Sequence, residues 1–300
     1  MTQYRFQILA TAACCAAMTA RAQTGPSCSD LASLKIDGVE ITSSTEAPAN
    51  APTPPSYPRY SGSLPAHCRV EGVIHRRKGV DGIEYGIGFA VALPEKDVWN
   101  GDFMMQGGGG GNGVVNYPAG ASYTGEKSAL ERGFAVASTD TGHKARTGDF
   151  DFSFMRDQQA YLHASDPLVE PASTNLSTFS GDGGKLIFFH GDSDPWFSPL
   201  DTFQYYRSLA ETNGGAKEVA TWSRFFFVPG MSHCGGGPSL DHFDMLSAAV
   251  DWVEKGIAPE SIIATGLAFP GRSRPLCAYP KHAQYSGHGN TEAASNFVCQ

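Results

Sequence analysis

Two polar segments, each following an apolar run, contain a carboxylate and an imidazole that could work together. In the sequence HGDSDP, Asp194 follows the run 186–190, and in PGMSHC, His233 follows the run 224–228. The carboxyl ends of parallel strands meet at one edge of an open sheet, so we expect these two side chains to lie close together. A carboxylate can hold an imidazole in one tautomer while the other ring nitrogen takes a proton from a nucleophile. The pair therefore indicates general-base chemistry.

A run of glycines provides the second candidate element. The sequence GGGGGNG at 107–113 follows the short apolar run 102–106. Only backbone groups can act in such a loop, and one of its N–H groups could bind a developing negative charge as one part of an oxyanion hole. A flexible linker is the alternative. A phosphate-binding loop is excluded, because G-x-x-x-x-G-K-[ST] is absent and no helix follows directly.

The sequence contains no G-x-S-x-G nucleophile motif. Ser193 and Ser232 stand directly beside the two members of the carboxylate and imidazole pair. Adjacent residues after a strand generally point apart, so neither serine is expected to be the nucleophile. His143 and His190 lie at or beside predicted strand ends, and we interpret both as structural histidines.

The apolar periodicity predicts an α/β protein in which strands and helices alternate. Strands are predicted over 68–75, 85–93, 102–106, 134–139, 186–190 and 224–228, and helices over 124–132, 199–212 and 240–255. About forty residues between Asp140 and Lys185 contain no predicted strand, which is uncommon inside a compact domain. This interval is either a long lid or the place where sheet strands are absent.

Composition excludes several classes of protein. The chain has 300 residues, of which 41% are apolar and 17% charged, with a net charge of −8. These values indicate a soluble globular protein and argue against binding to nucleic acid or to an anionic membrane. Residues 1–22 have a basic start, a short apolar stretch and an A-x-A site, which predicts a signal peptide and secretion to an extracellular or periplasmic space. Residues 23–300 then form the mature domain.

The cysteines indicate an oxidising compartment. With residues 1–22 removed, five cysteines remain. Pairs near each end of the chain predict the disulfides Cys28–Cys68 and Cys277–Cys299. Cys234 is left over by this count, as a buried free thiol or as one whose partner has been lost from the chain.

Several of these segments together resemble the tannase and feruloyl esterase family of secreted α/β-hydrolases, which includes mono(hydroxyethyl) terephthalate hydrolase-like enzymes. The resemblance covers 85–113, 138–143, 184–199, 227–237 and the helix 243–255. It implies hydrolysis of carboxylic esters of small aromatic acids by a Ser-His-Asp mechanism. In that mechanism the aspartate and histidine described above are the acid and base, and the Gly108 N–H binds the oxyanion. The family also joins a cysteine beside the catalytic serine to one at the position of Cys234.

The chain departs from this family in one respect. The elbow G-C-S-x-G-G and the calcium-binding lid have no counterpart, and the resemblance ends near Tyr161 and resumes near Ser165. We therefore predict an α/β-hydrolase-like, mostly parallel sheet flanked by helices, with its central strands and lid missing through an internal deletion near 161–166. We expect this chain to need no metal or cofactor. We also expect it to lack ester hydrolase activity. Two alternatives remain open: a non-catalytic secreted remnant that binds aromatic ligands or a partner, and an incomplete or misspliced copy of an active enzyme.

Overall fold

The computed structural model describes residues 26–51, 63–79, 82, 84–109, 112–144 and 173–300. The predicted signal peptide and the predicted deletion near 161–166 lie outside these residues. The strands are β1 Val39–Ala47, β2 His67–Lys78, β3 Glu84–Pro94, β4 Phe103–Met105, β5 Ala135–Thr139, β6 Leu186–Gly191, β7 Ser223–Val228, β8 Ser261–Ala264, β9 Arg274–Cys277, β10 Ala283–Tyr285 and β11 Phe297–Cys299. The helices are α1 Ser177–Gly181, α2 Pro199–Thr212, α3 Ala216–Val219 and α4 Met245–Lys255.

The amino-terminal half forms a five-stranded sheet in the order β1-β2-β3-β5-β4. The first three strands are antiparallel neighbours, with Val70 opposite Val91 in the register of β2 and β3. Strand β5 runs antiparallel to β3 and parallel to β4. The α/β class is confirmed, but this sheet is mixed rather than mostly parallel, since three of its four strand pairs are antiparallel.

A separate parallel pair, β6 and β7, leads into the two loops that carry the candidate catalytic residues. Side chains pack on both faces of the pair, with β7 mostly buried and β6 partly buried. Alternate side chains such as Phe188 and Phe225 pack against α2, whereas Phe189 and Phe226 pack in a second cluster with Met231. Because side chains on both faces of the strands are packed, the sequences of β6 and β7 are almost continuously apolar.

Helix α4 connects the two halves of the molecule. Asp244 caps the helix by accepting a hydrogen bond from the Ser247 N–H at 2.8 Å, and its carboxylate forms a bidentate pair with Arg132 at 3.1 and 3.2 Å. The apolar side chains of Leu246 and Val250 pack on the core of the five-stranded sheet. The helix therefore ties that sheet to the β6–β7 unit.

Two helix predictions are wrong in their bounds. The predicted helix 124–132 is only a single 3₁₀ turn, Leu130–Arg132, because Gly125 has a φ of +69° and the Ser128–Glu131 pair caps a helix that Gly133 ends at once. The predicted helix 240–255 begins at Met245, because 240–244 is extended and bridges to Thr265. In contrast, α2 has the predicted bounds, with Ser198 as its cap and Pro199 in the first turn.

The structure contains both predicted disulfides. Cys28 and Cys68 lie 5.5 Å apart between their Cα atoms, and Cys277 and Cys299 lie 5.6 Å apart. The first joins the amino-terminal segment to β2, and the second joins β9 to β11. Within the described ranges, no helix has the length and apolar character needed to cross a bilayer.

Candidate active site

The loops after β6 and β7 lie against each other and bring Asp194 and His233 together. The Gly230 N–H donates to the Asp192 carboxylate at 2.6 Å, and the Ser193 N–H donates to the Met231 carbonyl at 3.2 Å. A Cβ at Gly191 would stand 2.2 Å from that carbonyl oxygen, so only glycine permits this approach. The two loops therefore meet at one edge of the parallel pair, as the sequence predicts.

The carboxylate and imidazole form a direct hydrogen bond. His233 Nδ1 lies 2.7 Å from Asp194 Oδ2, and the Asp194 side chain is only 4% exposed. The other carboxylate oxygen accepts the N–H groups of Trp196 at 2.8 Å and Phe197 at 3.0 Å. Because an ionised carboxylate only accepts, Nδ1 carries the proton and Nε2 retains the lone pair that a general base needs.

Opposing effects set the charge of Asp194. Burial is the largest and would raise the pKa of this carboxyl, but the hydrogen bonds from His233, Phe197 and Trp196, with the nearby imidazole charge, lower the pKa to about 2. Asp194 is therefore ionised at neutral pH. The loop stabilises the charged form of the residue that orients His233.

This lowered pKa predicts an acid-dependent contribution to stability. Since the folded-state pKa lies below the unfolded value of about 3.9, the contribution is present above about pH 4 and is lost as the pH falls towards about 2. We expect the free energy of unfolding of Asp194→Asn to lie below that of the wild type at pH 5, and the gap to shrink towards pH 2. Urea unfolding across this range measures the gap. Asp182→Asn, an exposed carboxylate outside the site, controls for the lost charge, and a gap that stays constant with pH would contradict the prediction.

Aromatic side chains surround the pair. A cavity of about 520 Å³ is lined by the two residues together with Tyr123, Trp196 and Phe197. The Trp196 and Phe197 rings lie 4.8 and 5.2 Å from the His233 ring, and each residue is about 60% exposed. Such a wall suits a flat apolar ligand, because aromatic rings supply large contact area and defined stacking geometry.

The structure does not place Gly108 in the wall of this cavity. Gly108 follows β4, and a Cβ there would stand 2.2 Å from the side chain of Asn112, which itself donates to the Thr139 carbonyl at 3.1 Å. Glycine is therefore required by packing within the loop. The oxyanion role of Gly108 remains a prediction.

Neither neighbouring serine is hydrogen bonded to His233. The Ser193 hydroxyl donates to Asp192 at 3.1 Å, and within the described part of the chain Ser232 makes no hydrogen bond to the imidazole. Cys234, the residue after the histidine, is exposed and has a φ of +55°. Among the residues that the structure describes, the pair has no hydroxyl nucleophile in hydrogen-bond contact.

His190 is the site residue that sequence reasoning missed. Interpreted as structural, it lies in the cavity wall with Nε2 3.3 Å from Asp194 Oδ2. Its spacing of four residues from Asp194 was the available signal. His143, by contrast, lies near Thr141 and does not line the cavity.

The fold is of the α/β-hydrolase type, and the acid and the imidazole follow the two strands of its parallel pair. A feruloyl esterase B from Aspergillus oryzae has a similar fold, with a TM-score of 0.71 at 16% identity over 91% of this chain and 99% of that one. The family model "Tannase and feruloyl esterase" matches residues 68–166 and 160–300. The chain therefore belongs to the tannase and feruloyl esterase family, which confirms the resemblance seen in the sequence.

Two curated relatives match over part of their length. A mono(2-hydroxyethyl) terephthalate hydrolase from Piscinibacter sakaiensis is 48% identical over 132 residues, covering 42% of this chain and 21% of the relative. Feruloyl esterase B from Aspergillus niger is 33% identical over 149 residues, covering 44% of this chain and 29% of the relative. The matches thus span less than a third of each of these two relatives.

Proposed function

We propose that this chain is a carboxylic ester hydrolase of the tannase and feruloyl esterase type that lacks its nucleophile segment. The observation that carries the proposal is the 2.7 Å contact between His233 Nδ1 and Asp194 Oδ2 in a cavity lined by aromatic rings. In this mechanism Asp194 orients the ring, and His233 takes a proton from a serine and then returns it to the leaving alcohol. The substrate class is esters of small aromatic acids.

The absence of the nucleophile segment is supported by the way the family matches. The family model aligns in two segments that meet at residues 160–166, and G-x-S-x-G is absent from the sequence. One omission at this point accounts for the absent serine and for the separation of the β6–β7 pair from the five-stranded sheet. We therefore propose that this chain forms no acyl-enzyme.

A fluorophosphonate probe tests this proposal directly, because it labels only an activated serine. We expect no stoichiometric labelling of the purified chain and no hydrolysis of methyl ferulate above that of His233→Ala. Intact-mass spectrometry measures the label, and a complete feruloyl esterase serves as the positive control. Stoichiometric labelling of any serine in this chain would overturn the proposed absence of a nucleophile.

A second candidate function is binding of aromatic ligands without catalysis by a secreted remnant. The exposed Trp196 and Phe197 rings beside His233 favour it, since neither ring needs a nucleophile to stack on a ligand. Secretion is proposed from the predicted signal peptide, and the two disulfides fit an oxidising compartment. If the purified chain is a soluble monomer that unfolds cooperatively on heating, the non-catalytic remnant is favoured over an incomplete or misspliced copy of an active enzyme.

A further inference from the structure

His190 connects three parts of the candidate site through both of its ring nitrogens. Its Nδ1 lies 2.9 Å from Thr202 Oγ1 on α2, and its Nε2 lies 3.2 Å from the Phe197 carbonyl oxygen and 3.3 Å from Asp194 Oδ2. The side chain is 14% exposed. Carbonyl and carboxylate oxygens only accept, so Nε2 carries the proton, and in the neutral ring Nδ1 accepts from the Thr202 hydroxyl.

These contacts hold the loop that binds the carboxylate. The backbone of Phe197 is held on both sides of its Cα: its N–H donates to Asp194 Oδ1 at 3.0 Å, and its carbonyl accepts from His190. His190 Nε2 also lies beside the Asp194 oxygen to which His233 donates, because Oδ2 is 2.7 Å from the His233 imidazole and 3.3 Å from the His190 imidazole.

We propose that His190 is a positioning residue that fixes the Asp194 carboxylate for His233. It would act through two routes: the tether from α2 to the Phe197 carbonyl, and the positive edge of its N–H beside Oδ2. A polar group that is held at both ends and adjoins a buried carboxylate restricts the geometry of that carboxylate. The role rests on the proposed function, since ester hydrolysis is the reaction that would use this geometry.

The test measures the hydrogen bond itself rather than turnover. Proton NMR of the whole chain reports the His233 Nδ1–H held by Asp194, and long-range ¹⁵N correlation reports the tautomer of the His233 ring. His233→Ala assigns the resonance by removing it. Variants at His190 then show whether the bond depends on the neighbouring imidazole.

We expect His190→Leu to broaden the His233 Nδ1–H resonance and to speed its exchange with solvent about tenfold, because the ring's hydrogen bonds to Thr202 and to the Phe197 carbonyl are lost. His190→Gln, which keeps a side-chain N–H donor, is expected to restore most of the protection. Thr202→Val keeps the imidazole but removes its hydroxyl partner, and should have an intermediate effect. Thr212→Val is the matched control, since Thr212 lies on the same helix and, among the described residues, its hydroxyl bonds to Ser208 and Thr174 and not to the site.

Circular dichroism checks that each variant folds. If His190→Leu does not fold, the comparison of Thr202→Val with Thr212→Val decides. The same resonance and the same exchange rate in wild type, His190→Leu and Thr202→Val would overturn the proposal, and so would a wild-type His233 without the Nδ1–H tautomer. Failure of the proposed function is distinct: a chain restored with a nucleophile that hydrolyses no ester would reject that function while leaving this measurement unaffected.

Discussion

Asp194→Asn is expected to lower kcat for ester hydrolysis about 10⁴-fold in a chain whose nucleophile segment has been restored. The restored chain carries the central segment of the Piscinibacter sakaiensis relative inserted between Tyr161 and Asp166. Asparagine presents an N–H₂ group where the carboxylate accepts from His233 Nδ1 at 2.7 Å. The imidazole then favours the tautomer that protonates Nε2, and the base for the serine is lost.

Steady-state hydrolysis of methyl ferulate and of mono(2-hydroxyethyl) terephthalate measures this effect. The loss should fall on kcat more than on KM, because the acid orients the base and does not touch the bound ester. Asp182→Asn, an exposed carboxylate outside the site, is the matched control and should stay near the restored activity. A restored chain in which Asp194→Asn remains within about tenfold of its parent would contradict the assignment of the acid.

The sequence predicts well where local pattern and topology determine the answer. The β6 and β7 runs are apolar on both faces, and the residue after such a strand in a parallel pair has little freedom of position. Asp194 and His233 could therefore be paired from their positions after two predicted strands. The end-of-chain cysteines were also paired correctly, because each pair encloses a short segment near a terminus.

Prediction fails where a tertiary contact overrides propensity. The residues 124–132 include good helix formers, but a bridge from Thr124 to Asp244 and the +69° φ of Gly125 keep residues 124–129 out of a regular helix. His190 shows the same limit for function. Its two ring contacts come from α2 and from the loop after Asp194, and neither can be read from the residue itself.

The loss of a single aromatic side chain from β7 is expected to produce the largest change in stability. Phe225 is fully buried, and its ring lies 4.7 Å from Phe227, 5.4 Å from Tyr206 and 5.8 Å from Phe203 between ring centres. Phe225→Ala removes these contacts and leaves a cavity between β7 and α2. We expect the free energy of unfolding to fall by about 3–5 kcal/mol, as measured by urea denaturation.

Phe103→Ala on β4 is the matched control, because the same ring is deleted from a residue that is 62% exposed. Its cost should stay within about 1 kcal/mol, since little buried area is lost. The next residue, Phe226, points into the opposite cluster with Met231. Packing on both faces of β7 therefore fixes the start of the loop that carries His233. If Phe225→Ala and Phe103→Ala lower stability equally, then the pair β6–β7 is not packed against α2 as the structure has it, and the scaffold assigned to the catalytic loops is wrong.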